Sequence, residues 1–355
     1  ESLISYSVRK GYKIHGWELG NELGGNGIGA FISADQYAQD TKKLHSLVQK
    51  IYEEADKTPM VLGPGGFFEE KWFAEFVEKT NGSLQAVTHH IYNLGPGNDP
   101  HLIDKILDPV YLDGGSRPFS SLQGILRRMG TSTVAWVGEA GGAYNSGHHK
   151  VTDAFAFSFW YLDQLGMAST YDTKTYCRQS LIGGNYGLIN TQTMEPRPDF
   201  YSALLWHQLM GRKVLSTSFL RSNKIRIYAH CSKASKGITV LLINLSADTT
   251  VHVYVTQTSD REVVKATRHH QTKRTSLNRP QGANTRDEYH LTAKDERIRS
   301  EKMLLNGKKL TTGTNGEIPL LKPVKIDVFE PITVAPFSIV FVQMSNLVVS
   351  VCQAN

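Results

Sequence analysis

Two glutamates close apolar runs in this sequence and open onto loops of small residues. The first run reads Trp17-Glu18-Leu19-Gly20-Asn21-Glu22 and leads into a loop holding Gly24, Gly25, Gly27 and Gly29. The second reads Ala135-Trp136-Val137-Gly138-Glu139 and leads into Ala140-Gly141-Gly142-Ala143-Tyr144. Between them stands Thr88-His89-His90-Ile91-Tyr92, also at a strand end. Polar side chains at such ends sit on the C-terminal rim of a parallel sheet, where barrels keep their active sites. A single strand-end glutamate is as often structural as functional. Two of them, with a His/Tyr group on an intervening strand, form a more specific pattern.

The chemistry that needs this set is glycoside hydrolysis with retention. One protonated carboxyl donates to the leaving oxygen and one carboxylate attacks the anomeric carbon. Glu22 is the expected acid/base and Glu139 the expected nucleophile. Retention requires carboxyl groups about 5–5.5 Å apart, whereas inversion needs about 6.5–9.5 Å to admit a water. Neighbouring like charges disfavour double ionisation, which keeps a proton on one member of such a pair. Asn21 can hydrogen-bond the sugar 2-OH, and Tyr and His from the middle strand can orient the nucleophile. Glu18, an even offset from Glu22 along an extended strand, shares its face but lies deeper.

The elements that position these groups alternate. Ile14–Leu19, Met60–Gly63, Ala86–Tyr92, Val134–Gly138 and Thr175–Ile182 read as strands. Ala34–Ala55, Trp72–Thr80, Phe119–Met129 and Val151–Leu165 read as helices, the first with Ser33 as N-cap. This alternation implies a parallel sheet, either doubly wound or a barrel. No glycine-rich phosphate turn follows any strand, which weakens a nucleotide-binding reading. After about Arg212 the pattern changes to β-branched runs of period two: Lys224–His230, Gly237–Asn244, Thr250–Thr256, Lys325–Phe329 and Phe337–Met344. Turn residues separate them, as in an antiparallel β-sandwich. Arg268–Ser300 lacks periodicity and is read as an inserted loop.

The 355 residues, 40% hydrophobic and 20% charged, suit a two-domain globular chain. No apolar run approaches the roughly 18 residues of a membrane span. The net charge of +6 is concentrated between Asp260 and Lys309, where 13 Lys and Arg face 7 Asp and Glu. Such a segment can attract acidic polysaccharide, although a solvated insertion is the plainer reading. Nucleic acid is not an expected partner, because Tyr289 is the lone aromatic residue there for stacking. Three widely spaced cysteines, Cys177, Cys231 and Cys352, exclude a disulfide framework and any CxxC metal site. His148-His149 and His269-His270 show no Cys or Asp at ligand spacing, so neither a metal nor another cofactor is expected. Two N-glycan acceptor triplets begin at Asn81 and Asn244. Trp160, Tyr161 and Trp206 lie in apolar helical patterns and read as core.

Together the residues resemble glycoside hydrolase family 79, the heparanase-like β-glucuronidases, with the flavour of its plant branch. The resemblance rests on Trp17–Glu22, His89-His90, Gly138-Glu139, Ala143-Tyr144, Arg178-Gln179, Gly184-Asn185-Tyr186, Pro198-Asp199-Phe200 and Ile225–Cys231. It spans nearly the whole chain apart from the insertion. It implies a (β/α)8 TIM barrel followed by a C-terminal β-sandwich, with the acid/base on strand four and the nucleophile on strand seven. On that numbering the first three strands would be absent, and Glu1–Lys10 would be the tail of the helix before strand four. The implied layout is a partial barrel over residues 1–211, carrying strands four to eight, and a sandwich over 212–355 with a charged insertion at about 265–300.

The same resemblance implies that His89, Tyr92, Tyr144, Gln179 and Tyr186 bind the sugar. It assigns the backbone N–H groups of Asn145 and Ser146 to the carboxylate of a glucuronide or glucuronate-bearing glycan. The family's His-x-Tyr is read here as His89-His90-Ile91-Tyr92, with the tyrosine displaced by one residue and restored by a bulge or lost. Phe67-Phe68-Glu69-Glu70 stands where heparan-sulfate-cleaving members carry Arg and Lys, so a sulfated chain is disfavoured. The resemblance pairs Cys231 with Cys352 and leaves Cys177 free and buried. Bridge, sequons and family point outside the cytosol, to a secreted, cell-wall, lysosomal or vacuolar setting.

Overall fold

The computed structural model describes residues 1–24, 28–80, 82–219, 222–256, 284–347 and 349–353. The chain is mixed α/β, with a curled parallel sheet followed by a larger antiparallel one. The parallel sheet has the order β1-β2-β3-β5-β7, formed by β1 (Gly16–Glu18), β2 (Met60–Phe67), β3 (Ala86–Ile91), β5 (Val134–Ala140) and β7 (Thr175–Arg178). Two short strands, β4 (Gly95–Pro96) and β6 (Ala143–Tyr144), pair with each other above it.

Helices alternate with these strands along the chain. They are α1 (Ser2–Arg9), α2 (Ala34–Ile51), α3 (Glu70–Lys79), α4 (Leu102–Ile106), α5 (Pro109–Gly114), α6 (Arg117–Met129), α7 (Phe155–Thr170) and α8 (Pro198–Leu209). Local sequence explains their ends. The Ser33 hydroxyl accepts from the Gln36 N–H at the start of α2, and the Glu69 carboxylate accepts from the Lys71 and Trp72 N–H groups at the start of α3. Tyr37, Ala38 and Val48 of α2 meet Trp72, Phe73 and Phe76 of α3 in one buried cluster.

The antiparallel sheet runs β14-β13-β12-β17-β10-β9-β8, with β15 also on β12. Its members are β8 (Met210–Leu215), β9 (Ile225–Ser232), β10 (Ile238–Asn244), β12 (Thr285–Ala293), β13 (Met303–Leu305), β14 (Lys308–Lys309), β15 (Val324–Asp327) and β17 (Ser338–Met344). A ribbon of β11 (Val251–Val253) and β16 (Ile332–Val334) buries its apolar residues against β9, β10 and β17. A short helix, α9 (Ser350–Gln353), follows and carries Cys352, which is disulfide-bonded to Cys231 of β9.

Helix α7 joins the two sheets, and every residue from Phe155 to Ala168 is buried. Its other side packs on β10, β12 and β17 in a single core. The Asp163 carboxylate accepts from Arg226 Nε at 2.7 Å and from the Tyr228 hydroxyl at 2.6 Å, both on β9. A Cβ at Gly166 would collide with the Tyr228 ring, so glycine is what lets the helix approach the sheet. Ala154 gives α7 no side-chain cap. Carbonyls of Ser300 and Ile298 instead accept from the Phe155 and Ala156 N–H groups at 2.9 and 2.8 Å.

Three expectations need correction. Part of the stretch read as an inserted loop, Arg268–Ser300, is β12, a central strand paired on one side with β17. Its buried positions switch parity midway, from Arg286 and Glu288 to Tyr289, Leu291 and Ala293, and the first two are charged, so no simple period shows. The Arg286 and Glu288 pair there is buried with Nε to Oε1 at 2.6 Å. The first part of the expected insertion falls within residues 257–283, which lie outside the described residues. Asn244, offered as a glycan acceptor, is fully buried, and its amide nitrogen donates to carbonyls of Thr249, Val334 and Ala335. A sugar on that nitrogen would break the fold there. Asn81, the other acceptor, lies outside the described residues. Cys177 is exposed rather than buried. Among the described residues no helix is long and apolar enough to cross a membrane.

Candidate active site

The carboxyl groups converge at the C-terminal ends of β1, β3 and β5. A carboxylate oxygen of Glu22, one of Glu139 and a ring nitrogen of His90 lie within 4.8 Å of one another. Glu22 occupies the loop after β1 with φ of 54°, a left-handed conformation that side chains seldom adopt and that clusters at functional sites. Its N–H donates to the Gly65 carbonyl at 2.7 Å, which ties the loop to β2. His90 is buried, and its Nδ1 lies 2.8 Å from Glu22 Oε1. The Tyr92 hydroxyl donates to Glu139 Oε1 at 2.5 Å. Burial, and then that bond to a carboxylate, holds the Tyr92 phenol well above its ordinary range, so it stays a donor.

Strand parity selects these groups. Along β3 and the residue after it, Thr88, His90 and Tyr92 face the cleft: Thr88 donates to Glu18, His90 meets Glu22 and Tyr92 meets Glu139. His89 points the other way, into the helix layer, where its ring meets Phe68 and Phe119. It is fully buried with both ring nitrogens unpartnered, and burial drives it down to about 3, so it is a neutral core residue. The expected sugar-binding role of His89 is therefore corrected, and His90 takes the position on the cleft face. The spacing His-x-Tyr is then met by His90-Ile91-Tyr92 with no displacement. The ladder irregularity lies on β5 instead, where Gly138 is the extra residue between the Val137 and Glu139 pairings.

The surrounding residues complete the rim. A Cβ on Gly141 would meet the Tyr92 ring at 2.6 Å and the Tyr186 ring at 3.2 Å, so glycine lets both rings close beside Glu139. Gln179 follows β7, and its N–H donates to the Ala140 carbonyl at 2.9 Å. Tyr144 ends β6 and is exposed, followed by exposed Asn145 and Ser146 with φ of 57° and 67°. Asn21 is exposed beside Glu22 at the mouth of the sheet. Cys177 sits on β7 with a thiol pushed up by partial burial and by the charge of Glu18.

Two features escaped the sequence reading. Arg178 lies on the helix side of β7, over the Phe157 and Tyr161 rings, and its guanidinium reaches Asp199 of α8 at 2.8 Å. Burial raises Asp199 to about 6 against the opposing pull of Arg178. The pair braces β7 from behind, and the motifs Arg178-Gln179 and Pro198-Asp199 were its only sequence trace. His149 lies 2.8 Å from Asp153, four residues on, contrary to the expectation of no acid at ligand spacing. Glu301 joins them, with Arg197 4.0 Å from Asp153.

Comparison with known proteins agrees with this geometry. A sequence profile described as glycosyl hydrolase family 79, N-terminal domain, matches residues 1–166. Heparanase-like protein 3 of Arabidopsis thaliana is 54% identical, over 99% of this chain and 66% of its own. Heparanase-like protein 2 of the same plant is 45% identical, over 99% of this chain and 67% of its own. The chain belongs to glycosyl hydrolase family 79. Baicalin-β-D-glucuronidase of Scutellaria baicalensis is 43% identical, over 96% of this family 79 chain and 61% of its own. The chain thus spans about two thirds of the length of the curated relatives it matches. Among solved structures, a 4-O-α-L-rhamnosyl-β-D-glucuronidase from Fusarium oxysporum superposes with a TM-score of 0.68 at 14% identity, over 96% of this chain and 73% of its own. At that identity the likeness is one of fold.

Proposed function

We propose that the chain cleaves β-glucuronosyl linkages, in glucuronides or glucuronate-bearing glycans, by double displacement with retention. The observation that carries this reading is the approach of the Glu22 and Glu139 carboxylates to within 4.8 Å, near the about 5–5.5 Å of retaining pairs and too close to seat an inverting water. In the first step Glu139 attacks the anomeric carbon while Glu22 passes its proton to the leaving oxygen. In the second, Glu22 takes a proton from water, the oxygen attacks, and Glu139 departs as a carboxylate. Tyr92 fixes the attacking oxygen of Glu139, and His90 fixes Glu22. Asn21 is assigned to the 2-OH, Tyr144, Gln179 and Tyr186 to the sugar ring, and the Asn145 and Ser146 N–H groups to the glucuronate carboxylate.

The rest of the reading follows. Residues 1–211 are assigned to the catalytic part, as strands four to eight of a (β/α)8 barrel, and residues 212–355 to a β-sandwich. The parallel sheet that carries Glu22 and Glu139 at its strand ends supports the first assignment, and the antiparallel sheet that follows it supports the second. The Cys231–Cys352 bridge supports an oxidising compartment, secreted or vacuolar. The basic stretch from Asp260 to Lys309 supports a contact with acidic polysaccharide.

Incubation with a chromogenic β-glucuronide tests the reading, with the first-formed sugar followed by proton NMR. Release of β-glucuronic acid, abolished in a Glu22→Gln, Glu139→Gln chain, is expected. Release of the α-anomer would overturn the mechanism. Binding without turnover would make the chain a glycan-binding relative of the enzyme.

A further inference from the structure

A cavity of about 880 Å³ lies at the joint between the parallel and antiparallel sheets. Its walls come from the turn between α7 and β7, the end of α8, the β8–β9 pair and Cys352 of α9. Lys174 in that wall precedes β7, whereas Gln179 follows β7 beside the carboxylate pair. Five residues of extended chain span roughly 15 Å. The cavity therefore stands at the opposite end of the sheet from Glu22 and Glu139.

The backbone builds it. β8 is an edge strand, and between the Met210–Ser232 and Val214–His230 pairings three of its residues oppose Cys231 alone. Such a bulge re-aims side chains out of the ladder. A Cβ at Gly211 would strike the Cys231 carbonyl at 2.3 Å, so glycine admits the bulge, and Arg212 and Lys213 follow it into the cavity wall. Its charge is one-sided: Lys174, Arg212, Lys213 and Lys233 line it against a single acid, Asp172. Asp172 is paired with Lys174, and Lys213 donates to the Val351 carbonyl at 3.1 Å. Lys233 donates to the His207 carbonyl at 2.7 Å, a bond that fixes the ammonium without cancelling its charge. Neither Arg212 nor Lys233 meets a carboxylate among the described residues.

The same wall holds two buried polar atoms without partners, His230 Nε2 and Thr173 Oγ1. His230 is 3% exposed, and its ring is set edge-on to Trp206. The Gly211 carbonyl, 2.7 Å from Nδ1, can only accept, so Nδ1 carries the proton and Nε2 presents a lone pair. Burial lowers the ring's affinity for a second proton. Nε2 therefore needs a hydroxyl donor, while the cations need an anion. A neutral sugar leaves the cations unpaired, and a phosphate ester without hydroxyls leaves Nε2 unpaired. The geometry points to a site for a polyol phosphate, such as a sugar phosphate, with its phosphate on Arg212 and Lys233 and a hydroxyl donating to His230 Nε2. The cavity volume suits a ligand of one or two rings. The inference is independent of the glucuronidase reading.

Calorimetric titration of the full chain tests it at about pH 7.5, where a phosphate monoester is largely a dianion. The ligands are glucose 6-phosphate, methyl phosphate and glucose. Glucose 6-phosphate is expected to bind at one site, about tenfold tighter than methyl phosphate, the gain of one or two hydrogen bonds. Glucose is expected not to bind. Arg212→Gln combined with Lys233→Gln changes two exposed side chains and should weaken both phosphates by about tenfold or more. His230→Phe, and Thr173→Val as the milder change to the fold, should each pull glucose 6-phosphate toward methyl phosphate while leaving methyl phosphate unmoved. Absence of glucose 6-phosphate binding, equal affinity for the two phosphates, or affinities untouched by the Arg212 and Lys233 substitutions overturns the assignment. Loss of binding in the Glu22→Gln, Glu139→Gln chain would place the ligand at the carboxylate pair and overturn it as well.

Discussion

Replacing Tyr92 by Phe removes one hydroxyl and, with it, the 2.5 Å bond to Glu139 Oε1. The ring stays, so its packing against Phe67 is retained. A hydrogen bond to a charged acceptor contributes about 1.5–3 kcal/mol. In the first step the Glu139 charge is consumed, so the bond stabilises the starting carboxylate more than the transition state, and its loss slows nothing there. In the second step the charge returns as Glu139 departs. At an oxocarbenium-like transition state most of it is restored. Tyr92→Phe is then expected to cost about 1.4–2.8 kcal/mol in that step, a fall in kcat of roughly 10- to 100-fold. Because the glycosyl-enzyme accumulates, KM falls too and kcat/KM changes by less than about threefold. Stopped-flow release of 4-nitrophenol from its glucuronide should show a burst equal to the enzyme concentration, followed by slow turnover. A kcat unchanged and free of burst, or equal losses in kcat and kcat/KM, would refute the reasoning.

Further outcomes are expected. His89→Leu should flatten the acid side of the stability profile. The folded-state value of about 3 lies below the ordinary 6.5, so protons favour the unfolded chain as pH falls through that window, by about 2 kcal/mol at pH 5; urea titrations at pH 7 and 5 would show it, and an equal pH loss in both proteins would contradict it. His90→Phe should lower kcat/KM far more for alkyl than for 4-nitrophenyl glucuronides, because a poor leaving group depends most on the acid it positions. Cys352→Ser opens a loop with a sequence separation of 121 and should cost up to about 4–5 kcal/mol by chain entropy; reductant should lower the melting temperature of the parent and not of the variant. Gly166→Ala should destabilise by about 1–3 kcal/mol in urea, since the Tyr228 ring must move off α7.

Much of this protein was legible without coordinates. Two glutamates closing apolar runs before small-residue loops announced a rim of carboxylates, because strand ends and glycine loops are local properties of the chain. The same holds for Ser33 capping α2 and for the apolar helix around Trp160. What the sequence could not decide turns on a single residue of parity or on partners far along the chain. His89 and His90 are identical side chains, and only the register of β3 between β2 and β5 turns the second toward Glu22 and the first into the core. The strand β12 hides its period because Arg286 and Glu288 neutralise each other in the interior, a pairing no one-dimensional pattern records. Asn244 carries an acceptor triplet, yet carbonyls about ninety residues away occupy its amide. Hydrophobic alternation fixes which elements form; the tertiary contacts fix which face each polar group meets, because burying a polar atom is tolerable only where another element supplies its partner.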